Sequence, residues 1–254
     1  MIDIETYDCL IKALTALKLS YIRENLDDSL KLAEAKNLSH LEVLFGLMQK
    51  ELKERKQKTI QKRLKAAGFP QQKSLEAFDF NFQTSVKKQK LINLAEGRWI
   101  ETKTNIIFLG PPGTGKTHLS IALGIEAIKR GYKVYFIPVQ ELVDKLYTSL
   151  ATGEIKKLFK KLLSYDCIIL DEIGYLPLDK KAANYLFQLI SKCYERKSLI
   201  VSSNKGFEQW GEIFSDGIIA TAILDRLLHH SEIFLLRGES YRMKGKMEKG
   251  GGEN

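Results

Sequence analysis

The residues best suited to chemistry stand together in one short segment of this 254-residue sequence, GPPGTGKT at 110–117. Its glycines allow the backbone to curl, so that successive N–H groups can point at phosphate oxygens. A helix that begins at Lys116 would direct the positive end of its dipole at the same oxygens. The segment fits the pattern G-x-x-x-x-G-K-T, the P-loop, and predicts a site for the phosphates of a nucleoside triphosphate.

The P-loop residues have separate expected roles. We expect the Lys116 ammonium to reach the β- and γ-phosphates and the Thr117 hydroxyl to ligate Mg²⁺. A chance glycine-rich turn is the alternative, and the strand and helix predicted on either side argue against it. A dinucleotide fingerprint is excluded because His118 occupies the place of its third glycine. The predicted nucleotide contacts are Gly110, Pro111, Pro112, Gly113, Thr114, Gly115, Lys116, Thr117, His118 and, farther along the chain, Asp171.

Acidic and amide side chains end two other apolar runs. Asp171 and Glu172 end the run DCIILDE. Asp171 is expected in the Mg²⁺ shell, and Glu172 is expected to polarise an attacking water. Asn204 ends LIVSSN and could hold that water against the γ-phosphate. The two acids could instead be solvent-facing caps and Asn204 an ordinary turn residue, but beside a P-loop they favour ATP hydrolysis.

The elements that must position these residues alternate between strands and helices. Short apolar, β-branched or aromatic runs predict five strands, and four of them are nearly continuous in hydrophobicity, as in strands buried on both faces of a parallel sheet. Amphipathic stretches separate them. The sequence therefore predicts a three-layer α/β domain over 104–244. Its strands are expected at 105–110, 133–139, 166–172, 198–204 and 232–238.

The N-terminal region has a different pattern. Leucines recur at helical spacing, at Leu10, Leu14 and Leu17 for example, and predict a small all-helical domain over 1–68 that contacts a partner or DNA. Residues 69–103 are expected to form a linker and a leading helix. Residues 245–254 are expected to be a disordered tail.

Composition limits the class of protein. No apolar run reaches the roughly 18–20 residues that span a bilayer, and the N-terminus lacks the order of a signal peptide. Cys9, Cys167 and Cys193 are widely spaced and predict reduced thiols in a cytoplasmic protein. The histidines have no ligand spacing, so no structural metal is expected. The net charge of +9 indicates either a polyanionic partner or simple solubility.

Several segments together resemble the AAA+ ATPases and, more narrowly, the IstB family of transposition helper ATPases, relatives of the DnaC-type helicase loaders. They are GPPGTGKTHL, DEIGYLPL, SSN, and ILDRLLHHSEIF followed by GESYR. The resemblance implies an AAA+ P-loop fold and a Mg²⁺-dependent ATPase. It also implies an ATP-dependent ring or spiral of like subunits that acts on duplex DNA and assists the transposase encoded by the same element, away from membranes.

Two arginines receive roles from the same resemblance. Arg226 is implied to be an arginine finger that reaches the nucleotide of a neighbouring subunit. Arg242 is implied to contact phosphate within its own subunit. A guanidinium suits both roles because it stays protonated and spreads its charge over phosphoryl oxygens, although a surface ion pair is the commoner fate of an arginine.

The resemblance also implies a helical insertion after the second strand. Five of its lysines are candidates for a DNA-facing surface, and a solvated helical face is the alternative. A second basic segment, 50–73, holds nine basic residues against two acidic ones. The candidate DNA-binding residues in the insertion are Lys145, Lys156, Lys157, Lys160 and Lys161.

Other functions remain open from the sequence. A DnaC-type loader would couple the same ATPase to a replicative helicase through the N-terminal helices. A small-molecule kinase would need an acceptor pocket and a lid, and Arg226 argues against it. A nucleotide-regulated scaffold would turn over little ATP, and the intact Glu172 argues against that.

Overall fold

The computed structural model describes residues 4–244. Within that range the chain divides into two compact units, with the boundary between Lys62 and Arg63. None of the helices found there combines the length and the apolar composition that crossing a membrane requires. The tail predicted over 245–254 lies outside the described residues.

The first unit is helical, as predicted, and buries a small apolar cluster made of Leu14, Ile22, Leu26 and Leu47. Its last helix is preceded by a capping box. There Ser39 Oγ accepts from the Glu42 N–H at 3.3 Å, and the Glu42 carboxylate accepts from the Ser39 N–H at 2.8 Å. The helices are α1 Ile4–Ala16, α2 Ser20–Glu24, α3 Leu26–Ala35 and α4 His40–Ala66, whose last residues belong to the second unit.

The second unit alternates strands with helices in the predicted order, and its strand ends lie within a few residues of the predicted ones. The strands are β1 Asn105–Leu109, β2 Val134–Pro138, β3 Cys167–Ile173, β4 Ser198–Ser203 and β5 Ser231–Leu235. The helices are α5 Lys88–Ala95, α6 Arg98–Glu101, α7 Lys116–Lys129, α8 Val139–Ala151, α9 Ile155–Leu162, α10 Lys180–Cys193, α11 Trp210–Ile213 and α12 Gly217–Leu228, with a 3-10 turn at Phe207–Gln209.

The five strands form one parallel sheet in the order β2-β3-β4-β1-β5. The inner strand β1 is buried along its whole length, whereas β5, at an edge, is largely accessible. Because all strands run the same way, the carboxyl ends of β1, β3 and β4 meet at one edge of the sheet, where ligands bind in folds of this kind.

Helices cover both faces of this sheet. Alternate strand residues, Ile107, Ile168 and Leu199 among them, pack in one core cluster with helices α8 to α12. Helix α7 contacts the opposite face, where Ile169 comes close to Gly124. This alternation of buried residues between the two faces gives three layers, and the predicted α/β class is confirmed.

Burial separates the three cysteines into two groups. Cys9 is exposed, whereas Cys167 and Cys193 are buried in the second unit. Burial raises the pKa of both inner thiols, that of Cys193 to about 12. Because the thiolate is the reactive form, Ellman's reagent at neutral pH is expected to label Cys9 in the native protein and all three thiols after unfolding. Fast native labelling of a second thiol would contradict the buried positions.

Candidate nucleotide site

The P-loop connects the end of β1 to the start of α7, and neighbouring chain segments press closely on its glycines. Gly110 has φ +150°, and a Cβ there would lie 2.1 Å from the carbonyl oxygen of Leu236. Gly115 has φ +99°, and a Cβ there would lie 2.5 Å from the Phe78 ring. Both positions therefore require glycine, for conformation and for space.

Lys116 is the first residue of α7, and its side chain is buried inside the loop. Its Nζ donates to the carbonyl oxygens of Gly110 at 2.6 Å and Pro111 at 2.8 Å. Burial lowers the pKa of Lys116, while the charges of Asp171 and Glu172 act in the opposite direction. The ammonium thus lies among the backbone groups that would surround a bound phosphate.

Thr117 and Asp171 form the oxygen-rich part of the site. Thr117 Oγ1 donates to the Asp171 carboxylate, 3.1 Å from Oδ1 and 3.0 Å from Oδ2. Burial raises the pKa of Asp171, while hydrogen bonds from Ser202 and Thr117 lower it. A hydroxyl and a carboxylate are the hard oxygen donors that Mg²⁺ prefers, so this pair fits the predicted metal.

A bend at the end of β3 separates the two acids. The register of β3 against β4 shifts between Leu170 and Ile173, and Glu172 has φ +60°, in the left-handed region. Asp171 is buried, whereas the Glu172 side chain is exposed and lines a cavity. The two adjacent acids therefore differ in burial, which is consistent with the separate roles predicted for them, Mg²⁺ binding for Asp171 and water activation for Glu172.

That cavity, of about 550 Å³, gathers most of the residues predicted from the sequence. The volume lies in the usual range for small-molecule sites. Lys116, Thr117 and His118 line it together with Glu172, and so does Asn204, which follows β4. The structure thus brings together side chains from three strand ends around the P-loop.

Two of the predicted contacts that line the cavity, His118 and Arg242, also lie beside other chain segments. His118 lines the cavity, but its Nε2 lies 2.7 Å from the carbonyl oxygen of Ser74, and burial lowers the pKa of its imidazole. Arg242 lines the cavity too. The chain just before it is tied to the loop, since the Tyr241 N–H donates to the carbonyl oxygen of Gly113 at 3.0 Å.

Arg226 lies elsewhere, on α12, and is not among the residues that line the cavity. Its guanidinium carbon is 4.9 Å from the centre of the Phe187 ring, and its Nη1 donates to the carbonyl oxygen of Ala222 at 2.8 Å. It borders a separate, open surface depression beside Asp216 and Ile218. The structure therefore does not bring Arg226 to the nucleotide cavity of its own chain.

One wall of the cavity comes from a segment that the sequence analysis did not assign to the site. Phe78, Phe82 and Gln83 belong to the predicted linker, and all three line the cavity. Gln83 Nε2 donates to the carbonyl oxygen of Thr114, a P-loop residue, at 3.2 Å. Three phenylalanines in the short run FDFNF were the available signal, because a solvated linker has no reason to carry them.

The predicted DNA-facing lysines fall into two groups. On α9, the apolar side, Ile155, Phe159 and Leu162 among others, packs into the core, so the lysines project on the opposite side. Lys145 is half-buried on α8, where its Nζ pairs with Glu141 and lies 3.2 Å from Tyr135 Oη. The exposed α9 lysines are Lys156, Lys157, Lys160 and Lys161, of which Lys157 pairs with Glu154 at 2.9 Å.

One group of possible metal ligands lies outside the cavity, and the spacing of its residues in the sequence did not predict it. Within residues 4–244, ligand atoms of Glu195, His229 and His230 lie within 4.8 Å of one another, all on exposed side chains. The carboxylate comes from the turn after α10 and the imidazoles from the end of α12, so no local sequence pattern connects them.

Comparison with known families and proteins identifies the family to which the chain is similar. The model of the IstB-like ATP binding protein family matches residues 12–249. A protein of Geobacillus stearothermophilus, named as an ATP-binding protein of insertion sequence IS5376, is 44% identical over 230 residues, which are 91% of this chain and 92% of that protein. A Pseudomonas aeruginosa protein named for insertion sequence IS21 is 42% identical over 237 residues, 93% of this chain and 89% of its own length.

Two solved structures with a similar fold are a DnaA and a DnaC helicase loader. DnaA of Aquifex aeolicus bound to AMPPCP matches with a TM-score of 0.58 at 21% identity, over 72% of this chain and 55% of that one. The chain thus spans just over half the length of that DnaA. A DnaC helicase loader matches with a TM-score of 0.52 at 19% identity, over 59% of this chain and 88% of the loader. At such identities the likeness establishes the AAA+ P-loop fold alone.

Proposed function

Because the chain belongs to the family of IstB-like ATP binding proteins, we propose that it is a DNA-binding AAA+ ATPase that assists a transposase. It would hydrolyse ATP in an oligomer of like subunits, select or remodel target DNA, and stimulate the transposase encoded by its own insertion sequence. The observation that carries the ATPase part is the convergence of the P-loop, Asp171, Glu172 and Asn204 at one edge of the sheet.

In this proposal the residues of the site divide the work of phosphoryl transfer. Lys116 and the N–H groups of the loop bind the phosphates. Thr117 and Asp171 hold Mg²⁺, which supplies charge neutralisation on the phosphoryl oxygens when it is bound. Glu172 accepts a proton from the attacking water, and Asn204 orients that water. The exposed Glu172 and the buried Asp171 suit these separate roles.

The arginines support an oligomeric site. Arg242 lines the cavity and would contact phosphate within its own chain. Arg226 is separated from the cavity of its own chain, and its half-buried position beside a surface depression on α12 suits a residue that completes the site of a neighbouring subunit. A ring or spiral of subunits follows from that proposal, because each site would need two chains.

The proposed DNA surface is the exposed face of α9. Its four lysines project together, and the chain carries a net charge of +9. A lysine ammonium is a point charge that suits phosphate oxygens, so contacts to the phosphate backbone are the expected mode. The transposase partner is inferred from relatives that are named for insertion sequences. The DnaC-like fold keeps a helicase-loader function as the second candidate.

Duplex binding tests the DNA part of this proposal. With ATP, the wild-type protein is expected to bind duplex DNA, and changing Lys156, Lys157, Lys160 and Lys161 together to Ala should weaken binding about 10-fold or more. The slope of log affinity against log salt should become shallower by about 1 for each lysine that no longer neutralises a phosphate. The measurement is fluorescence anisotropy with duplex and single-stranded probes of equal length, over a salt series, with and without ATP.

A charge-matched variant is the control. Four exposed basic residues on and just after α10 are changed to Ala, which removes an equal number of positive charges away from α9. They are Lys180, Lys181, Lys192 and Arg196. This variant should retain both the affinity and the salt slope. Equal losses in the two variants would assign the effect to net charge and contradict the α9 surface. Tight binding to single strands alone would favour the helicase loader.

A further inference from the structure

One fully buried hydroxyl, that of Ser202 on β4, contacts both acidic residues of the site. Ser202 Oγ accepts a hydrogen bond from the Glu172 N–H at 2.9 Å and also contacts Asp171 Oδ1. A main-chain N–H can only donate, so the single hydroxyl proton is directed at the carboxylate. Ser202 therefore connects the main chain of one acid with the side chain of the other.

The main chain at Glu172 needs such support. It adopts φ +60°, a conformation that is unfavourable for a residue with a Cβ, and it does so where the ladder between β3 and β4 is irregular. That bend is what turns the Glu172 carboxylate out of the sheet and into the cavity while Asp171 stays buried. The hydrogen bond from Glu172 to Ser202 bridges the irregular part of the ladder.

We propose that Ser202 is a positioning residue, whose hydroxyl holds the Glu172 main chain in the left-handed conformation that directs the Glu172 carboxylate at the reaction centre. This inference rests on the proposed ATPase. It assigns Ser202 no contact with nucleotide, since Ser202 does not line the cavity. Loss of the hydroxyl should then slow the chemical step and leave nucleotide binding nearly intact, because a small misplacement of a reacting group costs much more in rate than in binding.

Two variants and one matched control test the proposal. Ser202→Ala removes the hydroxyl, and Ser202→Thr keeps it. Ser198→Ala is the control, because Ser198 lies at the other end of β4, is equally buried, and donates through Oγ to the carbonyl oxygen of Trp99 at 3.0 Å. The Ser198→Ala variant therefore loses a hydrogen bond of a buried serine hydroxyl on the same strand, far from the acids.

The measurements are the ATP dissociation constant, kcat, and hydrogen exchange of the Glu172 amide in the nucleotide-free protein. Ser202→Ala is expected to lower kcat about 10- to 100-fold while the ATP dissociation constant changes less than about 3-fold, and to speed exchange of the Glu172 amide. Ser202→Thr should recover most of kcat. Ser198→Ala should leave exchange at Glu172 unchanged.

The outcomes separate this inference from the proposed function. If the wild-type protein hydrolyses ATP and Ser202→Ala keeps the same kcat, or loses no more than Ser198→Ala, the positioning role is wrong. Unchanged exchange of the Glu172 amide in Ser202→Ala also overturns it. If the wild-type protein lacks ATPase activity, the proposed function fails, and the exchange measurement still decides whether Ser202 holds the Glu172 main chain.

Discussion

Glu172→Gln protein is expected to bind ATP about as tightly as the wild type and to hydrolyse it roughly 10²- to 10⁴-fold more slowly, the range in which a general base contributes. Glutamine has the shape of glutamate but cannot accept the proton of the attacking water. The exposed position of Glu172 in the cavity means that the substitution buries no new unpaired group. Single-turnover hydrolysis and binding of a fluorescent ATP analogue measure the two effects separately.

Lys116→Ala provides the contrast for the same assay. Lys116 lies inside the loop, so its loss should abolish binding and not only the chemical step. Glu212→Gln is the matched control, because Glu212 is exposed on α11 and does not line the cavity. It should behave as wild type in both measurements. Hydrolysis by Glu172→Gln at the wild-type rate would refute the water-activating role.

The sequence was sufficient to predict the strands and the helix that carry the candidate site wherever local spacing determines them. The P-loop brings its own strand, turn and helix, so its place between β1 and α7 follows from a single segment. Asp171 and Asn204 could be placed at the same edge because parallel strands share the direction of their carboxyl ends. The strands β1, β3 and β4 could be predicted because strands that are buried on both faces of a parallel sheet appear in the sequence as nearly continuous hydrophobic runs.

Features that depend on contact between distant segments could not be predicted in this way. Ser202 is one serine in a buried strand. Its hydrogen bonds to Asp171 and Glu172 on β3 depend on the register of β3 against β4, which the sequence alone does not determine. The wall formed by Phe78 and Gln83 depends on how the segment before α5 packs on the loop. The positive φ at Glu172, which is not a glycine, also has no signal in its residue type.

The position of Arg226 outside the cavity of its own chain predicts a large loss of ATP hydrolysis when this residue is changed. Arg226→Ala is expected to bind ATP normally and to lose about 10³-fold or more in hydrolysis, because an arginine finger contributes 10³–10⁵ in rate. If the finger acts on a neighbouring subunit, the wild-type rate per subunit must rise with protein concentration, since a complete site needs two chains. Steady-state ATPase assays over a dilution series, with parallel measurement of molecular mass, test this expectation.

Mixing two inactive variants tests the geometry directly. Lys116→Ala cannot bind ATP but keeps Arg226, whereas Arg226→Ala keeps its P-loop, so mixed oligomers contain some complete sites and should recover activity. Arg226 also contacts Phe187 and Ala222, and its removal could loosen α12. Arg226→Lys addresses this, because it keeps a cation near Phe187 but lacks the planar fork of guanidinium, and it should remain nearly inactive. A rate independent of concentration, together with no recovery on mixing, would exclude a finger acting between subunits.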